Sequence, residues 1–247
     1  MNFAALVLRI SRVTERFPRF HNIARRAYCV FRPGIRFQTE AAFKDYRDIF
    51  VLKIGANDGL TNDPIATLLL GDRRYRGLLV EPIPMYAAML RVNYGECGRF
   101  VIEQAAITAS SGTSNMYYVD ENALKGIGNS DLDWLRSIAS LDRLHVLKHL
   151  SPGLHSAVKE APVECLPVNV LLSRHNVQKI DLLHIDCEGF DYVILRQFDF
   201  TTLRPRVVLF EQKHLSADDR LAAKTMMQHV GYKVEQMETD VLCLAVP

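Results

Sequence analysis

The chain has 247 residues, of which 49% are hydrophobic and 23% charged, and its formal net charge is +2. This length and apolar content predict one large folded domain and exclude a mostly disordered chain. The five cysteines are scattered without a Cys-x-x-Cys pair, which favours reduced thiols over a disulfide framework or a cysteine zinc site. Since no run of about 18 apolar residues occurs, we expect a cytoplasmic protein without a membrane-spanning helix.

Positive charge is concentrated in the N-terminal part of the chain. Residues 1–38 contain eight arginines against the single acid Glu15, a local charge of +7, which leaves −5 for the remainder. This asymmetry argues against a nucleic-acid-binding body and predicts a basic N-terminal arm over residues 1–45. Apolar residues from Phe3 to Phe17 recur at helical spacing. Two interpretations stay open, namely packing on the domain or on a second copy in a homo-oligomer, and peripheral contact with an anionic membrane.

Beyond the arm, apolar runs alternate with amphipathic stretches. The runs that predict buried strands lie at residues 49–55, 77–81, 99–103, 180–186, 206–211 and 241–246. The predicted helices lie at residues 40–46, after a break at Pro33-Gly34, and at residues 63–71, 84–94, 164–175, 190–197 and 217–230. This alternation predicts an α/β fold with a mostly parallel sheet and helices on both faces. Residues 231–235 and 241–246 are too close in sequence for a crossover helix, which predicts an antiparallel hairpin at the C-terminus.

Residues 112–160 interrupt this alternation. They include a loop at residues 126–130, Trp134 and a helical stretch that ends at His149. An insertion between the third and fourth predicted strands lies above the strand ends where ligands bind, so we expect a lid or an acceptor pocket. The domain is therefore predicted to span residues 46–247 with a lid-like insertion at about residues 112–160.

The first predicted strand ends in a glycine-rich turn, Gly55-Ala-Asn-Asp-Gly59, and the second ends on Glu81. In an α/β sheet, such a turn brings backbone N–H groups close to a ligand, and an acid at the next strand end accepts hydrogen bonds from ribose hydroxyls. The full Gly-x-Gly-x-x-Gly pattern is missing. The two segments therefore indicate a nucleotide site without the dinucleotide fingerprint.

Carboxylates follow the fourth predicted strand, with Asp186 at its end and Glu188 and Asp191 on either side of Gly189. Acids at the carboxyl end of a strand lie in the ligand crevice, so Asp186 and Glu188 are candidates for a general base, a metal ligand or a ligand contact. Asp191 is better explained as the cap of the following helix, where an acid also favours the helix dipole.

The fifth predicted strand ends on Glu211, and His214 follows three residues later. A histidine beside these acids is a candidate general base for a hydroxyl, whereas the simpler interpretation is a solvated loop residue. A divalent metal on Asp186, Glu188 and His214 has no support from sequence, because oxygen ligands of this kind have no fixed spacing. We therefore assign no metal site from the sequence, and a divalent metal at these residues stays an open alternative.

Taken in this order, the motifs resemble the FkbM family of S-adenosylmethionine-dependent methyltransferases. The resemblance covers about residues 50–246 and rests on the segments 54–59, 77–82, 104–107, 185–191 and 210–214. It implies a Rossmann-like methyltransferase fold, with a mostly parallel seven-stranded sheet, a C-terminal antiparallel hairpin and S-adenosylmethionine as the cofactor.

The resemblance also implies roles for single residues. The methionine part of the cofactor is expected at Gly55, Ala56 and Asn57 and its ribose at Glu81. The adenine edge is expected at Ala105 and Ala106. The methyl end of the cofactor and the acceptor are expected at Asp186 and Glu188.

One position departs from the family pattern. The family more commonly has an acidic or amide residue where this chain has Lys53. A lysine there could bind the ligand carboxylate, or it could pair with Glu81 or with Asp186.

The function predicted from sequence is O-methylation of a hydroxyl on a sugar, glycan or other small molecule. Methyl transfer from a sulfonium needs an aligned acceptor and one proton acceptor, which His214, Asp186 or Glu188 would supply. No Asn/Asp-Pro-Pro-aromatic motif of amino-directed nucleic-acid methyltransferases occurs. The alternatives are a non-catalytic methyltransferase-like scaffold, with Lys53 as the sign of a decayed site, and a nicotinamide-dependent oxidoreductase, which the terminal hairpin disfavours.

Overall fold

The computed structural model describes residues 33–95, 98–120, 135 and 138–246. Several sequence features lie outside these described residues, namely the part of the predicted basic arm before residue 33, with its helical spacing from Phe3 to Phe17, the loop at residues 126–130, Trp134, Cys29 and Cys97. Among the described residues, no helix is both long and apolar enough to cross a membrane.

Eleven strands and seven α-helices make up the described part of the chain. The strands are β1 (Ile49–Ile54), β2 (Tyr75–Val80), β3 (Phe100–Glu103), β4 (Ala106–Ile107), β5 (Gly112–Val119), β6 (Ala139–Ser140), β7 (Val158–Leu166), β8 (Leu182–Ile185), β9 (Val207–Glu211), β10 (Tyr232–Met237) and β11 (Asp240–Ala245). The helices are α1 (Pro33–Ala42), α2 (Ala66–Gly71), α3 (Pro84–Tyr94), α4 (Arg143–Lys148), α5 (Val168–Arg174), α6 (Asp191–Leu195) and α7 (Ala217–His229). A 3₁₀ helix at Pro152–Ala157 precedes β7.

The main sheet has seven strands in the order β10-β11-β9-β8-β1-β2-β3. The pairs from β9 to β3 are parallel, whereas β11 runs antiparallel to both β9 and β10. This confirms the predicted Rossmann-like sheet with its C-terminal hairpin. The order of the strands reverses between β1 and β8, and in such sheets ligands bind outside the carboxyl ends of the strands at this point.

Apolar side chains of each buried strand alternate between the two faces of the main sheet. In β1, Leu52 and Ile54 pack in one hydrophobic cluster, whereas Ile49 and Val51 pack in the other. The first cluster includes residues of α5, α6 and α7, and the second includes residues of α1, α2 and α3. Because helices cover both faces of the main sheet, its buried strands are continuous apolar runs in the sequence. Ligands therefore reach this sheet at the ends of its strands.

A second sheet, with the order β4-β7-β5-β6, occupies the region that interrupts the alternation. Its main pair is antiparallel and runs from Gly112 opposite Cys165 to Val119 opposite Val158. The predicted helix over residues 164–175 is therefore wrong in its first turn, which belongs to β7. Pro167 separates the two elements, because its φ of −76° suits the start of α5 while its missing N–H ends the strand ladder.

The first helix also differs from the prediction. A helix covers Pro33–Ala42, whereas the sequence predicts a break at Pro33-Gly34 and a helix at residues 40–46. Proline is well tolerated in the first turn of a helix, where its N–H has no acceptor in any case. The Pro-Gly pair therefore opens a helix here.

Candidate active site

The turn after β1 bends back over the end of β2. The N–H groups of Gly55 and Ala56 both donate to the carbonyl oxygen of Val80, at 3.0 and 2.9 Å. Gly55 has a φ of +79° and Asn57 a φ of +50°, which are left-handed conformations that favour glycine and asparagine. The backbone of the predicted cofactor turn therefore lies at the carboxyl ends of β1 and β2.

Glu81 follows β2 and is bonded to this turn. Its Oε2 accepts from the Asn57 N–H at 2.8 Å, and its Oε1 accepts from the Ile83 N–H at 2.9 Å. Burial raises the pKa of Glu81 to about 7, against the lowering effect of these two hydrogen bonds and of the Lys53 charge. A buried carboxylate held beside a backbone turn is suited to accept hydrogen bonds from ribose hydroxyls.

Lys53 pairs within the core. Its side chain is 3% exposed, and its Nζ lies 2.8 Å from Asp63 Oδ2 and 3.2 Å from His184 Nδ1. His184 stands opposite Lys53 in the β1–β8 register, so the sheet itself brings these two side chains together. The direct partners therefore differ from Glu81 and Asp186, which the sequence suggests. The lysine satisfies a buried carboxylate and is no sign of a decayed site.

Asp191 has a different role from the predicted helix cap. Phe190 occupies the N-cap position of α6, and the Asp191 carboxylate accepts from the N–H groups of Cys187, Gly189 and Glu211 at 3.2 to 3.4 Å. Burial raises the pKa of Asp191 well above its usual value, and the charge of Asp186 adds to this shift. The side chain therefore ties the turn after β8 to the end of β9.

Glu188 and His214 form a pair across these two strand ends. His214 Nε2 lies 3.1 Å from Glu188 Oε2, and the side chains are 12% and 17% exposed. Burial raises the pKa of Glu188 to about 8, with a contribution from the Asp186 charge. Burial also lowers the pKa of His214 to about 4, and the nearby Lys213 charge adds to this effect. Both shifts favour the uncharged forms, so His214 is a neutral imidazole at pH 7.

Further acids converge on the same edge. The N–H of Asp186 continues the pairing of β8 with β1 by donating to the carbonyl oxygen of Ile54 at 2.9 Å. Burial raises the pKa of Glu211 to about 10, and the charges of Asp186 and Glu188 add to the shift. The sequence prediction that Asp186, Glu188, Glu211 and His214 lie together is therefore confirmed in space.

Two histidines that sequence reasoning missed complete this group. His145 and His149 lie on α4 or directly after it, and their ring centroids are 5.7 and 5.6 Å from that of His214. The four-residue spacing of these histidines on a helix is the feature that could have indicated a joint role, because such residues share one helix face. Their contact with His214 depends on how α4 packs against the second sheet.

Ala105 and Ala106 are both buried, in two different hydrophobic clusters. Ala106 also pairs with Cys165 at the edge of the second sheet. Their predicted contact with adenine would therefore use the backbone, and it stays a prediction.

Comparison with known families decides the identity of the domain. Residues 53–234 match the methyltransferase FkbM domain, which is most of the chain. The chain belongs to the FkbM methyltransferase family. The FkbM domain is thus an S-adenosylmethionine-dependent methyltransferase, as the motifs indicate. Comparison with curated proteins gives no significant match.

Several solved structures resemble this FkbM domain at low identity. A fibrillarin from Methanococcus jannaschii shares 10% identity with a TM-score of 0.42, over 81% of this chain and 66% of its own. A precorrin-6y C5,15-methyltransferase from Geobacter metallireducens shares 13% identity with a TM-score of 0.42, over 85% of this chain and 86% of its own. An O-methyltransferase family protein from Burkholderia thailandensis shares 8% identity with a TM-score of 0.45, over 93% of this chain and 61% of its own. The chain thus spans about two thirds or less of the first and third structures.

The residues of the FkbM domain fit S-adenosylmethionine. The turn at Gly55, Ala56 and Asn57 would hold the methionine part, and the buried Glu81 carboxylate beside it would hold the ribose. Asp186, Glu188, Glu211 and His214 lie at the ends of β8 and β9, which are the next strands after β1 in the main sheet.

Proposed function

We propose that the chain transfers a methyl group from S-adenosylmethionine to a hydroxyl of a sugar, glycan or other small molecule. The observation that carries this proposal is the His214–Glu188 pair, with Nε2 3.1 Å from Oε2, at the ends of β8 and β9. An alcohol must lose its proton during methyl transfer, and a positioned imidazole–carboxylate pair is suited to accept it. An amine acceptor could reach the same site already deprotonated, and it would not need this pair.

Cofactor binding is the first task of the site. The cofactor supplies a methyl group that its sulfonium already activates, so the chain needs to provide no covalent nucleophile. Glu81 and the turn at Gly55 hold and orient the bound molecule, and burial of the Glu81 carboxylate keeps water away from its hydrogen bonds.

Proton transfer is the second task. Glu188 ionises as the pH rises through its raised pKa of about 8, and its Oε2 then accepts the Nε2–H of His214, which fixes both the tautomer and the orientation of the ring. Nδ1 then presents its lone pair to the acceptor hydroxyl and takes its proton. Asp191 supports this arrangement, because it bonds the backbone on both sides of the pair, at Gly189 and at Glu211.

The proposal is tested by a methylation assay with a panel of free sugars, glycosides and simple alcohols. Formation of S-adenosylhomocysteine gives the rate, and mass spectrometry with ¹³C NMR identifies the methylated atom. We expect a methyl ether, and we expect His214→Ala to lower kcat by about 10²- to 10⁴-fold, the usual contribution of a positioned base.

The matched control is His229→Ala, an exposed histidine near the end of α7 that lies away from the site. This variant is expected to keep the activity of the unmodified chain, and both variants should bind S-adenosylmethionine equally well. A product methylated on nitrogen, or full activity in His214→Ala, would contradict the proposal.

A further inference from the structure

Three histidines from two separate parts of the chain meet at one point. His145 and His149 come from α4 and the residue after it, whereas His214 comes from the loop after β9. One ring nitrogen of each histidine lies within 4.8 Å of a ring nitrogen of the other two. The rings of His145 and His149 have centroids 5.0 Å apart. Three imidazole nitrogens therefore lie close together between α4 and the loop after β9.

Two buried polar atoms in this region, His145 Nε2 and Glu211 Oε2, have no hydrogen-bond partner among the described residues. Buried polar atoms in folded proteins are nearly always partnered, so two such atoms beside one histidine cluster call for an explanation. A cation bound to the histidines would give His145 Nε2 a partner and would place a positive charge near Glu211.

We propose that His145, His149 and His214 bind one Zn²⁺ ion. Neutral imidazole is a preferred ligand of Zn²⁺, and three histidines leave a fourth tetrahedral position open. Zn–N bonds are about 2.0–2.1 Å long, so a bound ion would set the spacing of the three nitrogens, which already lie within 4.8 Å of one another. Glu188 Oε2 lies 3.1 Å from His214 Nε2 and would orient that ring from outside the coordination, which leaves the fourth position open.

The chemistry of the donors separates this ion from the alternatives. Mg²⁺ and Ca²⁺ take oxygen ligands, and a site of three nitrogens does not suit them. A second group, Glu188, Glu211 and His214, also brings its ligand atoms within 4.8 Å of one another and shares His214 with the first. The three-histidine set accounts in addition for the spacing of His145 and His149, which the second group leaves without a role.

The inference deepens the proposed function, on which its catalytic meaning rests. An ion at this position would link α4 to the loop after β9, and its fourth coordination position could bind the acceptor hydroxyl. A hydroxyl on the ion loses its proton more easily, and with His214 bound to the ion its neighbour Glu188 would take this proton in place of the imidazole. Ion binding itself can be measured without any methyl transfer.

The test is a calorimetric titration of Zn²⁺ into the full, untagged chain after treatment with a chelator. We expect one ion per chain. His145→Ala and His149→Gln should each weaken Zn²⁺ binding at least 10- to 100-fold, since even the loss of a residue that only supports a ligand costs that much. The exposed-histidine variant His229→Ala should bind like the unmodified chain. Circular dichroism of each variant shows whether it is folded, and hydrogen exchange should show that Zn²⁺ protects the amides of residues 143–149.

The outcomes separate this inference from the proposed function. Absence of Zn²⁺ binding overturns the inference, and so does a Zn²⁺ affinity that His214→Ala and Glu211→Gln reduce while His145→Ala and His149→Gln do not. The latter result would assign the ion to the carboxylate group. Binding of S-adenosylmethionine, measured with the same variants, is expected to be unchanged, so a failure of the methyltransferase proposal would be visible independently.

Discussion

A Cβ atom added at Gly55 would lie 1.7 Å from the carbonyl oxygen of Asp186. The two residues follow the paired strands β1 and β8, and the Asp186 N–H continues their ladder by donating to Ile54. The turn that would hold the cofactor and the acid that would face the acceptor are therefore in direct backbone contact. The close approach requires glycine, and the φ of +79° at Gly55 adds a second reason for it.

Replacement of Gly55 is expected to force the turn after β1 away from the backbone of Asp186. Gly55→Ala should lower the free energy of unfolding by several kcal/mol, because the backbone of β1 or β8 must shift and alanine is strained at positive φ. Urea denaturation measures the loss. The control is Gly153→Ala, where an added Cβ meets no atom within 4 Å. Equal stability of Gly55→Ala and the unmodified chain would contradict the contact.

The buried pair of Lys53 and Asp63 gives a second prediction. Lys53→Met should destabilise the fold by about 3–5 kcal/mol, because it leaves the Asp63 carboxylate buried without its cation. Lys53→Met combined with Asp63→Asn should recover most of this loss, since the amide oxygen can still accept the Ile65 N–H. Denaturation of the single and double variants tests the pairing. A double variant less stable than the single one would show that Lys53 serves another partner.

Cofactor binding is expected to depend on pH through Glu81. Burial raises the pKa of its carboxyl from 4.5 to about 7 in the folded chain. Ribose hydroxyls bind the ionised form, so affinity for S-adenosylmethionine should be highest above pH 7 and fall as the pH drops through 7. Calorimetry between pH 5.5 and pH 8.5 follows this change, and an affinity that stays flat in the unmodified chain would count against Glu81 as the ribose ligand.

The same shift makes the stability of the ligand-free chain depend on pH in the opposite sense. Between the unfolded pKa and the folded pKa, the folded state binds more protons than the unfolded state. The contribution of Glu81 is therefore fully present below pH 4.5 and is lost as the pH rises through 7. Glu81→Gln should reduce the difference in Tm between pH 5.5 and pH 8.5, which thermal unfolding measures.

The main sheet and the acids at its edge could be predicted from the sequence because they depend on local patterns. Each buried strand is one apolar run, and the parallel order places the ends of β8 and β9 side by side, with Asp186 and Glu211 on them. The partners of Lys53 could not be predicted from the sequence. His184 contacts Lys53 only because of the register of two strands, and the two residues are 131 positions apart in the chain.

The second sheet could not be predicted from the sequence. Pairing of β5 with β7 joins residues that are far apart in sequence, and the apolar residues of β7 are as compatible with a helix as with a strand. The meeting of His145 and His149 with His214 depends on that pairing. The spacing of two histidines could have been read from the sequence, but their third partner could not.

Binding of S-adenosylmethionine to the unmodified chain and to Glu81→Gln is the most direct test of the site described here. Glutamine keeps the size of the side chain and one acceptor oxygen for the Asn57 turn, but it removes the charge. We expect micromolar binding by calorimetry and a loss of about 10- to 100-fold in the variant, which corresponds to about 1.5–3 kcal/mol for hydrogen bonds to a charged group. NAD should bind to neither protein. Equal affinity of the two proteins for S-adenosylmethionine, or no binding to the unmodified chain, would contradict the account.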